Sequence, residues 1–390
     1  MKILVIPAWF PSNSKPHYVK WIIPHIKMLK DHGHDVFVIH IDFDTDCTQT
    51  QIEDEPGIRR VIVRERHPQR LQRVGFVYRN HLRIFQKYLD HHYHEIVSRW
   101  GVPDILHAHT SMPAGFCAAR LARRIKKPVI VTEHFSGVHS DIKYPWRLKK
   151  YYRQTSEIAH GIYAVSPSLY SKMTGKKIHM DGCLPNPIDT DFFCRQALAK
   201  QDKKVFNIVS IGNVSMRKGT DVLLQALNNL DTEIPWFCTI IGDDTHLNYF
   251  RRFIRPELLR SRFKFTGLVS QHMIRTYNQN ADVCVVASRR ETANVSMLEA
   301  LACGTPVIAT RCGGPESLLD DTVSLIIEPE DTQALVQALT SMYSSEASKY
   351  NADTNRKYVL DRYSIEAVYA KTLQVYQRAI EQVAEDDTYE

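Results

Sequence analysis

The chain lacks a long hydrophobic segment. None of its apolar runs approaches the roughly 18 to 20 residues that a helix needs to cross a bilayer. The N-terminal stretch MKILVIPAWFP is too short in its apolar part for a signal peptide, so it is predicted to be a first β-strand. With 390 residues, 44% of them hydrophobic and 24% charged, the composition predicts a soluble globular protein of two domains.

The chain also lacks closely spaced cysteines. Its eight cysteines are scattered and include no Cys-x-x-Cys pair, and Cys117, Cys284 and Cys303 fall in apolar segments. Disulfide-rich domains and structural zinc sites usually show short, repeated cysteine spacings. The pattern therefore predicts reduced, buried thiols in a cytoplasmic protein.

Negative charge is scarce in the first half. Residues 1–200 contain 30 Lys and Arg against 18 Asp and Glu, whereas residues 201–390 contain 20 against 25. The densest basic stretch, residues 59–87, has nine basic residues, a single acid (Glu65) and interleaved apolar and aromatic side chains. It predicts contact with an anionic membrane surface, although a solvated helix face or a nucleic-acid surface has the same pattern. Since no nucleic-acid-binding motif accompanies it, we expect no nucleic acid as a partner.

Strand-like and helix-like patterns alternate along the chain in two series. Continuous apolar runs of four to six residues are separated by helix-like periodic segments, first from Ile3 and again from about Val205. This alternation predicts an α/β protein with two Rossmann-like domains that face each other across a crevice. The proline-rich Pro185–Asp189 segment predicts a hinge between residues 1–185 and 186–362. A last helix, within 363–390, is expected to pack back on the N-terminal domain.

The segment Glu291–Gly314 carries two carboxylates eight residues apart. Glu299 falls on a helix-like pattern, and Glu291 falls in the loop that precedes it. The first N–H groups of such a helix, near Asn294 and Val295, lack intrahelical acceptors and favour an anion. The two carboxylates can therefore flank a phosphorylated sugar, although taken alone they also fit an ordinary helix start.

Other polar side chains follow predicted strands, where ligands of such sheets bind. In the loop 212–219, the adjacent cations Arg217 and Lys218 precede a helix and predict a diphosphate clamp. In the first half, His109 and His134 each follow a strand. A lone histidine there is more often structural, but a phosphate site in the other half makes both candidates for chemistry.

Taken together, these motifs resemble the retaining glycosyltransferases of family 4, which have the GT-B fold and include enzymes of bacterial surface-polysaccharide assembly. The resemblance is strong over residues 186–330 and looser over 1–185. The matching motifs are the E-x7-E pair, the continuations EALACGTPVIAT and GGPE, Lys218-Gly219, NPID-x-x-x-F from Asn186, DILHAH ending at His109, and GHDV from Gly33.

The resemblance implies a division of labour. The N-terminal domain would bind a glycan or lipid-linked acceptor, and the C-terminal domain a nucleotide diphosphate sugar, UDP-linked in preference. The implied catalytic residues are His109, Glu291 and Lys218. The implied donor-binding residues are Gly212, Asn213, Arg217, Lys218, Glu291, Asn294, Val295 and Glu299. Lys15, His17 and His134 are expected on the acceptor side.

Within this set, Glu291 would bind donor-sugar hydroxyls and Glu299 the ribose hydroxyls. The family transfers sugars with retention of configuration and needs no metal, and no Asp-x-Asp motif lies in a loop that is predicted to bind the donor; the two near Asp44 follow the second strand. No cofactor or metal is therefore expected. The chain departs from the family pattern at Asn213, where an arginine is usual, and at Thr292-Ala293-Asn294, which replaces Gly-Phe-Gly. It also has no glycine in the loop 11–17.

The preferred interpretation is a retaining hexosyltransferase of lipopolysaccharide or exopolysaccharide biosynthesis. It is expected in the cytoplasm, with peripheral attachment to the inner face of the cytoplasmic membrane. A catalytically silent nucleotide-sugar-binding partner and a GT-B-fold sugar-nucleotide epimerase remain alternatives.

Overall fold

The computed structural model describes residues 1–11, 21–44, 46–64, 75–135, 146–195, 205–231, 233–344 and 349–389. The chain divides into two compact units. Unit 1 comprises Met1–Val165, Leu169–Pro185 and Tyr369–Glu390, and unit 2 comprises Ser166–Ser168 and Asn186–Val368. The predicted acceptor-side residues Lys15 and His17 lie outside the described residues.

Unit 1 is built around one largely parallel sheet. Its strands are β1 (Lys2–Pro7), β2 (Asp35–Asp44), β3 (Gln51–Glu55), β4 (Ile58–Arg64), β5 (Ile105–His109), β6 (Val129–Glu133), β7 (Ile162–Ala164) and β8 (Gly182–Cys183). Their order across the sheet is β3-β4-β2-β1-β5-β6-β7-β8, and only the β3–β4 pair of these is antiparallel.

Helices connect these strands. They are α1 (Ile22–Asp31), α2 (Gly75–Trp100), α3 (Phe116–Ile125), α4 (Trp146–Ser156) and α5 (Pro167–Gly175), with a π-helical turn at Ser111–Gly115 before α3. Pro24 stands in the first turn of α1, where its missing N–H breaks no helical hydrogen bond.

Unit 2 contains a fully parallel sheet. Its strands are β9 (Phe206–Ile211), β10 (Trp236–Ile241), β11 (Phe263–Phe265), β12 (Val283–Val286), β13 (Val307–Thr310) and β14 (Ser324–Ile327). Their order is β11-β10-β9-β12-β13-β14, so the chain first builds outward from β9 in one direction and then in the other.

The helices of unit 2 cover this sheet, and the last helix leads the chain into unit 1. They are α6 (Thr220–Asn228), α7 (Leu247–Arg251), α8 (Pro256–Leu259), α9 (Gln271–Asn280), α10 (Val295–Ala302), α11 (Gly314–Leu318), α12 (Thr332–Tyr343), α13 (Ala352–Tyr363) and α14 (Ile365–Tyr389). None of the helices in the described parts of the chain is long and apolar enough to cross a membrane.

The central strands are buried along their whole length, which explains their uninterrupted apolar sequences. All residues of β5, β6, β12 and β13 are buried, because helices cover both faces of such sheets. All eight cysteines are unpaired, and Cys117, Cys284 and Cys303 are buried as predicted, whereas Cys183 is exposed.

The basic stretch 59–87 differs from the prediction at its start. Arg59 and Arg60 lie on β4 and are only 6% and 5% exposed. Arg59 is paired with Asp54 at 2.8 Å and with Glu95 at 2.5 Å, and Arg60 is paired with Glu53 at 2.5 Å. The prediction of a membrane-facing patch is therefore wrong for these two arginines, because the short polar strand β3 neutralises them.

Candidate functional site

The strand order of unit 2 determines where its polar loops meet. Because β9 and β12 are neighbours whose connections leave in opposite directions, a crevice opens beyond their carboxyl ends. The loop 212–219 follows β9, and the loop that begins at Ser288 follows β12. The predicted donor residues of both loops therefore come together at this edge of the sheet.

Glycine allows the two loops to touch. Gly219 has φ +64°, and a Cβ added there would lie 1.8 Å from the carbonyl oxygen of Ala287, at the end of β12. No larger residue fits this approach without moving the backbone. Directly before Gly219, Lys218 ends a short 3₁₀ turn whose cap is the hydroxyl of Ser215. The aminoalkyl chain of Lys218 is thereby held near the strand ends.

Glu291 is the centre of the hydrogen-bond network in this site. Its Oε1 accepts from the ammonium group of Lys218 at 2.5 Å, from the hydroxyl of Ser288 at 2.7 Å and from the amide of Asn294 at 3.2 Å. Its Oε2 lies 3.8 Å from the guanidinium of Arg217. The side chain is 7% exposed, so these groups replace water around a buried carboxylate.

The partners of Glu291 keep it ionised. Burial alone would raise the pKa of the Glu291 carboxyl, but the charge and hydrogen bond of Lys218, the charge of Arg217 and the hydroxyl of Ser288 outweigh it and lower this pKa. At neutral pH the site therefore contains a fixed negative charge directly beside two cations.

The start of α10 supplies oriented donors next to this network. Asn294 adopts a left-handed conformation with φ +36°, and its side chain caps the helix by accepting from the backbone N–H of Met297 at 3.3 Å. The hydroxyl of Ser296 also donates to the Asn294 side-chain oxygen, at 2.8 Å. With its cap fixed, the first turn of α10 presents N–H groups and a positive dipole end, beginning at Val295.

The remaining predicted donor residues lie around this centre. Gly212, Asn213, Lys218, Ser288 and Asn294 line one recess at the strand ends. Glu299 lies one turn into α10 and is half-buried. The side chain of Arg217 is 48% exposed, so it is more accessible than Lys218, whose side chain is 19% exposed.

Two contributors to this site were not predicted from the sequence. Ser288 lies two residues after β12, and its position after a buried strand was a usable signal. Arg289 forms a bidentate ion pair with Asp221 at 2.7 and 2.8 Å and contacts Glu330 at 2.7 Å, which raises its pKa. Since 68 residues separate Arg289 from Asp221, no local pattern could reveal this pair, which holds the loop after β12 against α6.

Unit 1 gathers histidines at the corresponding edge of its own sheet. His109 ends β5, next to β1, and its Nδ1 shares a 3.0 Å hydrogen bond with Nε2 of His134. The structure thus brings together two residues that the sequence assigned to different roles. The His134 backbone N–H donates to the Glu133 carboxylate at 2.9 Å, which fixes the loop after β6.

Further aromatic side chains complete this cluster. His25 of α1 lies with its ring centroid 4.8 Å from that of His109, and Trp21 stacks on His134 at 3.8 Å. On the strand itself, His107 stacks on His109 at 4.2 Å. The sequence analysis did not select His25, although a histidine among the buried apolar residues of a helix was a signal for it.

Burial keeps the cluster uncharged. Burial, and then the charge that each neighbouring histidine would carry, lower the pKa values of His109 and His134 well below the ordinary value. Both imidazoles are therefore neutral at pH 7. The Nε2 atom of His109 is buried and has no hydrogen-bond partner.

Two protein-family models match the chain in sequence. The model described as glycosyl transferases group 1 matches residues 192–359, and the model described as Glycosyltransferase Family 4 matches residues 25–192. Together they span residues 25–359, which are most of both units.

Individual known proteins also resemble this chain. A putative teichuronic acid biosynthesis glycosyltransferase, TuaC of Bacillus subtilis, is 28% identical over 246 residues, a match that covers 61% of this chain and 61% of TuaC. Sucrose-phosphate synthase of Thermosynechococcus elongatus superposes with a TM-score of 0.73 at 18% identity, covering 98% of this chain and 99% of the synthase. Anabaena Alr3699/HepE, solved with UDP and glucose, gives a TM-score of 0.70 at 15% identity and covers 97% and 99%. These structural likenesses establish the GT-B fold.

The Lys218–Glu291 pair makes the stability of unit 2 depend on pH. Because the folded-state pKa of Glu291 is lowered, the pair stabilises the fold above the unfolded pKa of about 4.3 and loses this contribution as pH falls through the folded value. Lys218→Met leaves a buried carboxylate without its closest cation. We expect a loss of about 2–4 kcal/mol in the free energy of unfolding at pH 7.

Urea denaturation at pH 7 and pH 4 measures this effect. In the variant, burial raises the pKa of Glu291, so the carboxyl is protonated on the way to pH 4 and the deficit shrinks. Lys264→Met, at an exposed lysine of unit 2, is the control. An equal loss of unfolding free energy at both pH values, or a loss no larger than in Lys264→Met, would contradict the conclusion that Lys218 keeps Glu291 ionised.

Proposed function

The chain belongs to glycosyltransferase family 4, and we propose that it transfers a sugar from a nucleotide diphosphate sugar, UDP-linked in preference, to a glycan or lipid-linked acceptor. This proposal rests on the cluster of Lys218, Arg217 and Glu291 at the start of α10, beside the point where the strand order of unit 2 reverses. This arrangement combines cations for a diphosphate with a carboxylate for sugar hydroxyls.

The departing diphosphate accounts for the cations and the helix start. As the bond to the sugar breaks, negative charge develops on the phosphate oxygens, and fixed donors stabilise it most in the transition state. The ammonium group of Lys218 and the guanidinium of Arg217 supply positive charge, and the N–H groups near Asn294 and Val295 supply oriented donors. The contact with Glu291 already holds the Lys218 ammonium group in position, so this group can also bind a phosphate oxygen without moving.

The two glutamates are assigned to different parts of the donor. Glu291 is ionised and hydrogen-bonded through Oε1, so Oε2 can accept from hydroxyls of the sugar. Glu299, one turn further along α10, is proposed to accept from the ribose hydroxyls, as the family resemblance implies. Gly212 and Asn213 complete the wall of the site.

The acceptor and the stereochemistry follow from the family resemblance. We assign His109 to the reaction centre and His134 to the acceptor side. Attack on the donor face from which the diphosphate leaves would retain the anomeric configuration, and no metal is needed because Lys218 and Arg217 supply the charge. TuaC carries the name of a teichuronic acid biosynthesis enzyme, and this supports a polysaccharide acceptor.

Comparing the binding of the UDP-sugar donor with that of the product UDP distinguishes the proposed roles of Glu291 and Glu299. A nucleotide sugar at about 100 times its Kd should stabilise unit 2 by about 2.7 kcal/mol and raise its Tm by several degrees. We expect Glu291→Gln to weaken the response to the matching UDP-sugar while keeping the response to UDP. Glu299→Gln should weaken both responses, because both ligands contain the ribose.

A panel of UDP-, GDP- and ADP-sugars, read by thermal shift and by slow donor hydrolysis, provides this test. Glu328→Gln removes an exposed carboxylate of the same unit and serves as the matched control. If the folded protein responds to no nucleotide sugar, the transferase proposal is wrong. If Glu291→Gln abolishes UDP binding as well, its assignment to the sugar is wrong.

We also propose that part of the basic stretch contacts anionic lipid at the inner face of the cytoplasmic membrane. Arg59 and Arg60 do not take part, since they are buried and paired. The exposed cations within the described residues include Arg64 on β4 and Arg83 and Lys87 on α2. Arg83 and Lys87 stand four residues apart on a helix face, which allows both to reach a flat surface.

Vesicle co-sedimentation tests the membrane contact. Arg83→Glu/Lys87→Glu should lower binding to vesicles with 30 mol% phosphatidylglycerol by about tenfold or more, since each basic residue near the surface contributes about 1 kcal/mol. Lys149→Glu/Arg153→Glu on α4 has the same spacing, exposure and charge change, and should have a smaller effect. Equal losses in the two variants would show a general charge effect and overturn the proposed surface.

A further inference from the structure

The histidine cluster of unit 1 contains more nitrogen ligands than sugar transfer requires. His25, His109 and His134 each offer a ring nitrogen, and these three atoms lie within 4.8 Å of one another. We infer that they form a site for one transition-metal ion that favours imidazole ligands, Zn²⁺ above all, and that the bound ion inhibits the enzyme by occupying His109. The inhibition rests on the proposed function, whereas the site itself does not.

The separations suit a small ion. Two nitrogens that bind one tetrahedral zinc ion at about 2.0–2.1 Å lie roughly 3.3 Å apart, close to the 3.0 Å between Nδ1 of His109 and Nε2 of His134. His25 projects from a different element, α1, and its ring nitrogen lies within 4.8 Å of the other two ligand atoms. Three imidazoles and one open position are a common zinc arrangement.

The surroundings hold the ligands in place. Trp21 stacks on His134, and His107 stacks on His109, so both ring planes are fixed from one side. His107 itself is not a ligand, because its two ring nitrogens are bonded to the Tyr376 hydroxyl at 2.8 Å and the Thr132 hydroxyl at 2.9 Å. Such outer contacts typically strengthen metal sites by fixing ring orientation.

The cluster is also chemically prepared for a metal. Metal ions bind the neutral form of imidazole, and burial favours that form here. The buried Nε2 of His109 has no hydrogen-bond partner, which is unusual for a buried polar atom and leaves this nitrogen open to an ion as the alternative to Nδ1. Imidazole ligands suit Zn²⁺ as well as Cu, Fe and Ni ions, and Zn²⁺ is the ion used in the tests below.

A second group on α2, formed by His91, His92 and Glu95, could also bind a metal ion and would then contribute background binding in the test. Its members are already engaged, since Nδ1 of His92 lies 2.8 Å from a carboxylate oxygen of Glu95 and 3.2 Å from Nε of Arg59. His91→Gln removes an exposed member of that group without touching the proposed site. All measurements therefore use tag-free, chelator-treated, full-length protein with and without this substitution.

Cobalt(II), a spectroscopic substitute for zinc, reports the site directly. We expect one equivalent of Co²⁺ to give the intense visible absorption of a four-coordinate ion, equally in wild type and in His91→Gln, and Zn²⁺ to displace it. His25→Gln should weaken binding by at least about tenfold, because loss even of an outer partner typically costs 10- to 100-fold. His25→Asn replaces it if His25→Gln does not fold.

Absence of a saturable Co²⁺ spectrum in His91→Gln, or an unchanged spectrum in folded His25→Gln or His25→Asn, would overturn the site. Inhibition is measured separately, as the ratio of transfer rates with and without saturating Zn²⁺. In wild type, the rate with Zn²⁺ should be at most about one tenth of the rate without it, and a chelator should restore the rate. In the His25 variant, the effect of Zn²⁺ should be smaller. If no transfer is found with any donor, the proposed function fails while the cobalt spectrum still decides the site.

Discussion

The ion pair between Glu291 and Lys218 is the interaction on which the proposed donor site of this protein depends. An ionised carboxylate at 7% exposure is costly unless cations and hydrogen-bond donors surround it. Lys218 can reach it only because the loop after β9 closes on the end of β12, and that closure requires a glycine at position 219. A single backbone approach therefore controls the position of the cation, the ionisation of the carboxylate and the charge of the recess.

The backbone ties this charge to the neighbouring strand as well. The N–H of Glu291 donates to the carbonyl of Cys312 at 3.1 Å, and the N–H of Gly314 donates to the carbonyl of Glu291 at 3.0 Å. The carboxylate is thus fixed to the loop after β13 as well as to the loop after β12. Preorganisation of this kind matters for transfer, because donors that are already oriented need not rearrange as charge develops on the leaving group.

Both units apply the same rule to different chemistry. In each, candidate side chains lie at the carboxyl end of a strand next to the point where the sheet order reverses. Unit 2 fills that edge with a charged network around Glu291, whereas unit 1 fills it with neutral, buried imidazoles around His109. A charged edge suits a diphosphate, and an uncharged histidine edge suits hydroxyl groups or a metal ion.

The sequence predicted the two α/β series, the buried parallel strands and the loop positions of Glu291, Lys218 and His109, because apolar runs and strand ends are local signals. It did not predict β3, because Gln51–Glu55 is a polar edge strand whose partner, β4, supplies the arginines that it neutralises. For the same reason, the burial of Arg59 and Arg60 was missed. The Arg289–Asp221 pair and the approach of His25 to His109 also depend on contacts between distant segments.

The central claim is that the loops after β9 and β12 form a diphosphate site around Glu291. A crystal structure with bound UDP tests this claim most directly. The account predicts diphosphate oxygens within about 2.7–3.2 Å of the Lys218 ammonium group and of backbone N–H groups at the start of α10. A diphosphate bound elsewhere, with the Lys218 ammonium group in contact with Glu291 alone, would contradict it.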